Sequence, residues 1–94
     1  MPMFALILID KPDSLPLRMA TREAHLAYAR ANLRDMKLGG PLLDETGDMT
    51  GSLIILDVPD IEAARAWNAA DPYTQAGLFE RVEIRPMRVT IGQL

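Results

Sequence analysis

The chain has 94 residues, of which 49% are hydrophobic and 24% charged, and its net charge at pH 7 is −3. This length suffices for one hydrophobic core, so we expect a single domain over residues 1–94. An acidic chain lacks the basic excess that neutralises a phosphate backbone, so we expect no nucleic-acid partner. With no cysteine and one histidine, the sequence offers no disulfide and no cysteine or multi-histidine metal site, and we expect no cofactor.

The apolar stretch at residues 3–9 is too short to cross a bilayer as a helix. It also lacks the basic flank and the small-residue cleavage site of a signal peptide. We therefore expect no membrane association and a cytoplasmic location.

The first half of the chain predicts a strand, a long helix and a hairpin. Residues 4–9 are a short apolar run that ends in a turn-rich segment, as a buried strand does. Residues 18–38 contain neither Gly nor Pro and predict a helix that Gly39-Gly40 ends. The hairpin then comprises a short strand at 41–43, a turn at 44–48 and a buried strand at 52–58.

The second half predicts a helix, a helical turn and a last strand. Asp60 is a candidate N-cap for a helix that runs to Ala70, and a helical turn follows at 73–78. Residues 81–85 alternate between polar and apolar, as an edge strand does. The apolar positions change parity after Pro86, which predicts a bulge or bend there.

The resulting order β-α-β-β-α-β is that of an α+β, ferredoxin-like fold with an antiparallel sheet. In this topology the first and third strands lie in the centre of the sheet. Those strands are the apolar ones, whereas the second is short and the fourth carries charges and a proline, as edge strands do. The strand composition therefore agrees with the topology.

Both central strands are apolar on both faces, at residues 4–9 and 53–56. Helices cover only one face of a ferredoxin-like sheet, so something must cover the other. The alternative, an exposed apolar sheet, would aggregate. We therefore expect a homodimer that forms through the sheet faces.

A helical wheel of the first helix places an apolar stripe toward the core. The stripe comprises Met19, Leu26, Ala29, Leu33 and Met36. Arg22 lies within the same arc, and Arg18 and His25 lie on its edge. Polar groups directed toward a core are costly unless they are paired or line a wet cavity, so we expect a pocket near the start of this helix.

Each polar residue also has a simpler interpretation when taken singly. His25 fits a structural histidine bonded to a backbone carbonyl, and Arg22 fits an apolar stem with its head group in water. Asp71 precedes a proline that opens a helical turn, which is a preferred N-cap arrangement. Trp67 is expected to pack in the core.

Several segments in combination resemble the YCII-related (YciI-like) family over almost the whole chain. They are Arg22-Glu23-Ala24-His25-Leu26, Gly39-Gly40-Pro41-Leu42, Gly51-Ser52-Leu53, Asp71-Pro72-Tyr73, Ala76-Gly77-Leu78-Phe79 and Val82-Glu83-Ile84-Arg85-Pro86. The resemblance implies a subunit of the dimeric α/β-barrel superfamily, which includes muconolactone isomerase. It also implies an active site built on a His–Asp pair, here His25 and Asp71, and small, often aromatic or chlorinated, ring compounds as substrates.

Such a pair suits proton transfer. A neutral imidazole accepts a proton near neutral pH, and a carboxylate fixes its tautomer and stabilises the imidazolium. Without a redox centre, the expected reactions are isomerisation, elimination of HX or lactone hydrolysis. Arg22 is a candidate to hold a substrate carboxylate or phenolate, Tyr73 to close over a ring and Ser52 to offer a hydroxyl.

Two other functions remain open at this point. The same dimer is compatible with a non-catalytic module in which His25 and Arg22 bind an anionic small molecule. A cofactor-free or haem-degrading monooxygenase is a second alternative, although haem would need the only histidine as a ligand. An RNA-recognition module shares the order of elements, but the charge and the lack of aromatic residues on the central strands argue against it.

Overall fold

The computed structural model describes residues 3–94; residues 1 and 2, which the expected domain includes, lie outside the described residues. The elements are β1 (Met3–Asp10), α1 (Leu15–Ala31), β2 (Met36–Leu43), β3 (Met49–Asp57), α2 (Ile61–Ala70), α3 (Pro72–Gln75) and β4 (Phe79–Met87). The strands form one antiparallel sheet in the order β2-β3-β1-β4. The α+β class, the ferredoxin-like topology and the central position of β1 and β3 are therefore confirmed. Within residues 3–94, no helix is long and apolar enough to cross a membrane.

The main core lies between the helices and one face of the sheet. Alternate residues of β1 point into it, and their cross-strand partners on β3 lie on the same face. The buried cluster comprises Phe4, Leu6, Leu8, Ile54, Leu56, Val58, Ala64 and Trp67. Trp67 packs in this core, as the sequence analysis expects. The alternation places Asp10 on the same buried face as Leu8.

The opposite face of the sheet has an apolar centre and a charged edge. Ala5 and Ile7 of β1 pair with Ile55 and Leu53 of β3, and all four lie away from the helices. The edge strand β4 lines this face with Arg81, Glu83 and Arg85, among which Glu83 pairs with both arginines. The chain itself thus leaves this apolar face without a covering layer in the part that the structure describes.

The first helix begins and ends earlier than predicted. It starts at Leu15 because Pro16 fits the first helical turn, and it ends at Ala31 rather than at residue 38. The amides of Asp35 and Met36 bond to the Asn32 carbonyl in a turn, and β2 then pairs with β3 from Met36 onward. The predicted helix end was therefore wrong, because pairing with a central strand outweighs local helix propensity.

This difference changes the predicted apolar stripe. Leu33 lies outside the helix and is 60% exposed, and Met19 is 54% exposed. Met36 reaches the interior from β2, where it pairs with Leu56. Of the five predicted residues, Ala29 is buried and Leu26 is half-buried on α1.

The predicted irregularity at Pro86 was also wrong. Pro86 pairs with Phe4 in unbroken register, because an edge strand tolerates a residue that lacks an amide hydrogen. The register of β1 with β4 shifts at the other end, where Ile9 pairs with Arg81 but Asp10 pairs with Phe79. One extra residue, Glu80, therefore stands in β4 at this point, as in a β-bulge.

The apolar sheet face leads to a prediction about assembly. Substitution of Ile7 by Asp should dissociate or unfold a sheet-face dimer, because an unpaired charge would be buried there. The wild-type chain should scatter light with twice the 10.4 kDa mass of one chain. The control is Val82→Asp, at a position 46% exposed on the helix side of β4, which should keep the dimer mass. A stable wild-type monomer at micromolar concentration would contradict a dimer.

Candidate active site

A cavity of about 330 Å³ lies between α1 and the helix-facing side of the sheet. Its walls come from α1, from the exposed edge strand β2, from β3 and from Tyr73 of α3. The polar lining residues are Arg18, Arg22, His25, Arg30, Ser52 and Tyr73. Leu26, Ala29, Met36 and Ile54 are among the apolar lining residues. A cavity with mostly apolar walls and few polar groups is typical of a small-molecule site.

His25 and Asp71 are hydrogen-bonded at one side of this cavity. The distance from His25 Nδ1 to Asp71 Oδ1 is 2.8 Å, and the carboxylate is fully buried. Because an ionised carboxylate only accepts hydrogen bonds, Nδ1 must carry the proton. In a neutral ring Nε2 is then the acceptor, which is the tautomer that a base needs.

Asp71 also caps the helix that follows it. The same Oδ1 accepts the backbone N–H of Tyr73 at 3.0 Å, and Pro72 occupies the first turn of α3. The two interpretations of Asp71, N-cap and histidine partner, are thus compatible. The cap fixes the carboxylate relative to α3, so His25 on α1 meets an acceptor whose position is already set.

Tyr73 packs directly against the imidazole. The two rings are stacked, with centroids 4.1 Å apart and an angle of 16° between their planes. Tyr73 also makes an edge-to-face contact with Phe79. Burial raises the pKa of Tyr73, although the positive charges of Arg18 and Arg22 oppose that rise. The phenol is therefore protonated at neutral pH.

Arg18 is a buried cation that the sequence analysis placed on the stripe edge but did not include among the site residues. Its Nε and Nη2 atoms donate to the two oxygens of Asp10 at 2.7 and 2.9 Å, and Nη2 also donates to Ser52 Oγ at 2.9 Å. Burial lowers the pKa of Arg18, but the bonds to Asp10 and its charge outweigh that effect, so the pKa is raised. In the structure Asp10 continues the buried alternation of β1, whereas the sequence analysis places it in the turn-rich segment after the strand.

The remaining predicted residues also line the cavity. Ser52 is buried and its oxygen accepts from Arg18, while Arg22 is exposed at the cavity wall. Arg30, which the sequence analysis did not single out, lines the same cavity from the last turn of α1. No carboxylate of residues 3–94 lines the cavity, so its walls carry positive charge and favour an anionic ligand.

Comparison with known proteins identifies the family. Residues 3–88 match the YCII-related domain. The chain belongs to the YCII-related family. Protein YciI of Escherichia coli is 38% identical over 87 residues, which cover 84% of this chain and 89% of that protein. An uncharacterized protein of Haemophilus influenzae is 34% identical over the same shares of the two chains.

Solved structures show the same fold in enzymes. One YCII-like relative is a 5-chloro-2-hydroxyhydroquinone dehydrochlorinase from Burkholderia phenoliruptrix, in complex with 2,5-dihydroxybenzoquinone. It is 31% identical to this YCII-related chain, with a TM-score of 0.85, and the match covers 92% of this chain and 93% of that one. An antibiotic biosynthesis monooxygenase has a TM-score of 0.59 over 97% of this chain and 100% of its own, but at 13% identity it shows the fold alone. The comparisons support a protein that acts on or binds a small molecule.

The buried Asp10–Arg18 pair leads to a stability prediction. Asp10→Ala should lower the free energy of unfolding by about 3–5 kcal/mol, because it leaves an uncompensated buried cation. The control is Arg65→Ala, which removes an exposed pair with Glu62 and should change stability by less than about 1 kcal/mol. Urea unfolding measures both variants. Equal, small effects would show that the buried pair does not stabilise the fold.

Proposed function

We propose that this protein is a cofactor-independent enzyme that transfers a proton on a small, anionic, oxygenated ring compound. His25 is the general base and Asp71 orients it. The observation that carries the proposal is the 2.8 Å bond between His25 Nδ1 and a fully buried Asp71 carboxylate, beside a cavity with positively charged walls. A buried carboxylate on one imidazole nitrogen leaves the other nitrogen free to accept a proton.

The chemistry needs no electron acceptor. His25 Nε2 takes a proton from the substrate, and the Asp71 carboxylate stabilises the imidazolium that results. In an elimination, the pair of electrons released with that proton forms the new double bond, and the leaving group departs with its own bonding pair. Isomerisation returns the proton at another atom, and lactone hydrolysis uses the base to activate water.

Elimination of HX is the best supported of these reactions. The dehydrochlorinase from Burkholderia phenoliruptrix is 31% identical over nearly the whole chain and was solved with a dihydroxybenzoquinone. A ring of that kind is small, planar and acidic, which suits a cavity of about 330 Å³ with arginine in its walls. We therefore propose a chlorinated or otherwise substituted hydroxyhydroquinone as the substrate class.

The other predicted residues have supporting roles in this proposal. Arg22, exposed at the cavity wall, holds a peripheral carboxylate or phenolate of the substrate. Ser52 fixes Arg18 through its hydroxyl oxygen. The face of Tyr73 already contacts His25, and the Arg18 guanidinium carbon lies 4.6 Å from its ring centroid, so Tyr73 offers its hydroxyl to the substrate more readily than its face.

A non-catalytic binder remains the second candidate, because the positively charged cavity alone would suffice to bind an anion. Turnover decides between the two functions. The monooxygenase alternative receives support only from the shared fold, since the monooxygenase described above is 13% identical to this chain.

His25→Ala should lower the rate of chloride release from 5-chloro-2-hydroxyhydroquinone by about 10²–10⁴, the usual contribution of a general base. The unfolding midpoint should fall, because the fully buried Asp71 carboxylate loses one of its two donors, and circular dichroism checks that the variant is folded. EDTA should leave the wild-type rate unchanged. Undiminished activity in the variant, or a requirement for added metal, would contradict the mechanism.

Asp71→Asn separates the two interactions of the carboxylate. Asparagine caps helices nearly as well as aspartate, so the loss of stability should be limited to a few tenths of a kcal/mol if capping dominates. The rate should fall strongly, because an amide can bond the imidazole in either tautomer. Thermal unfolding and steady-state kinetics on the same sample measure the two effects. A variant that is as active as the wild type would show that Asp71 acts only as a helix cap and not in catalysis.

A further inference from the structure

Two neighbouring buried donors, on Arg18 and Tyr73, face the cavity, and each has a donor hydrogen without an acceptor in the protein. Arg18 is 2% exposed and Tyr73 is 1% exposed, and both line the cavity. Nε and Nη2 of Arg18 are bonded to Asp10 and Ser52, so Nη1 is the guanidinium nitrogen that takes no part in these bonds. The Arg18 and Tyr73 side chains also interact with each other, and over residues 3–94 neither Nη1 nor the Tyr73 hydroxyl bonds to a third group.

Both donors are nevertheless accessible. The fully enclosed polar side-chain atoms without a partner, in the part of the chain that the structure covers, are Asp57 Oδ1, Trp67 Nε1 and Asp71 Oδ2. Arg18 Nη1 and the Tyr73 hydroxyl are not in that set. Arg18 and Tyr73 are almost completely buried and both line the cavity, so Nη1 and the hydroxyl are exposed to the cavity. Nη1 carries two hydrogens and the phenol carries one, so after a contact between Arg18 and Tyr73 each group still has a hydrogen that needs an acceptor from elsewhere.

The two groups are held rigidly. A bidentate pair with Asp10 and the bond to Ser52 fix the Arg18 guanidinium, whose central carbon is 4.6 Å from the centroid of the Tyr73 ring. The N–H bond to Asp71 and the stack on His25 fix Tyr73. Donors fixed in advance need no reorganisation when charge appears, which is the condition for strong electrostatic stabilisation.

We propose that Arg18 Nη1 and the Tyr73 hydroxyl form an oxyanion site, which binds the substrate oxygen that becomes negative when His25 removes a proton. This inference rests on the proposed function and adds the chemical class of the oxygen, a phenolate or enolate. The stack of His25 on Tyr73 brings the base to the same end of the cavity as both donors. The acidic proton and the charged oxygen therefore belong to one conjugated ring.

The site also assigns different roles to the arginines. Arg18 is paired with Asp10, so this unit has no net charge and offers directed N–H groups rather than a free cation. Arg22 is exposed at the cavity wall and suits an anionic group that the substrate carries throughout the reaction. Arg18 therefore favours the transition state, whereas Arg22 favours binding of substrate and transition state alike.

The probe for this site is 4-nitrophenol, because its neutral and ionised forms absorb at different wavelengths. The wild-type protein should bind the phenolate in preference to 4-nitroanisole, which has no ionisable oxygen, and the ionisation midpoint of the bound phenol should shift to lower pH. Tyr73→Phe keeps the ring and its stack but should weaken phenolate binding about tenfold, as the loss of a hydrogen bond to a charged group does. The matched control is Tyr28→Phe, since the Tyr28 hydroxyl bonds to the Trp67 carbonyl and does not line the cavity.

Arg18→Lys keeps the charge beside Asp10 but removes Nη1, and it should also weaken phenolate binding about tenfold. Circular dichroism checks its fold, and Tyr73→Phe with its control tests the site on its own if the lysine variant unfolds. Tyr28→Phe should keep the wild-type preference for phenolate, because its hydroxyl lies outside the cavity. If the wild-type protein binds phenolate but does not turn over 5-chloro-2-hydroxyhydroquinone, the oxyanion site would be supported and the proposed function contradicted.

Three results would overturn the oxyanion site. The first is a wild-type protein that binds 4-nitrophenolate no better than 4-nitroanisole, including one that binds neither compound. The second is a folded Tyr73→Phe variant with wild-type affinity for the phenolate. The third is a Tyr28→Phe control that loses as much phenolate affinity as Tyr73→Phe, which would show that the loss does not come from the hydroxyl in the cavity. In each case, His25-dependent turnover would still support the proposed function.

Discussion

One carboxylate oxygen joins the three helices of this protein around its cavity. Asp71 Oδ1 accepts a hydrogen bond from His25 on α1 and another from the backbone of Tyr73 at the start of α3, while Asp71 itself directly follows α2. Both donors are neutral or partly positive groups, so the negative charge is compensated without a cation in direct contact. The position of the imidazole therefore depends on the helix cap, and the cap depends on the Asp-Pro sequence that ends α2.

The interior of this small domain holds more charge than its size would suggest. Asp10 and Arg18 are a buried ion pair, and Asp71 adds a carboxylate whose second oxygen has no partner among the described residues. Replacement of such groups by apolar residues often stabilises a protein, so stability alone does not explain why they are present. Their shared location, beside one cavity, is typical of a site whose geometry costs the fold some free energy.

The sequence contained most of the fold and part of the candidate site. The strand order could be predicted from the composition of the strands, because the apolar runs of β1 and β3 are typical of strands in the centre of a sheet. The end of α1 did not follow, since residues 32–38 have adequate helix propensity and only the pairing of Met36 with Leu56 makes them a turn and a strand. Arg18 and Asp10 were missed for a related reason: a buried ion pair between a strand end and a helix start is visible only once both lie on the same side of the sheet. The His25–Asp71 pair was expected from family resemblance and not from spacing, because 46 residues separate the partners.

The cavity and the apolar sheet face lie on opposite sides of the same four strands. Any layer that covers the apolar face leaves the cavity wall at β2 and α1 untouched, because those residues belong to the helix side. Ligand exchange and self-association thus involve separate surfaces of one thin sheet. The occupancy of the cavity should consequently be independent of total protein concentration, and each chain in an assembly should behave as its own binding unit, with a hyperbolic rather than a sigmoidal isotherm.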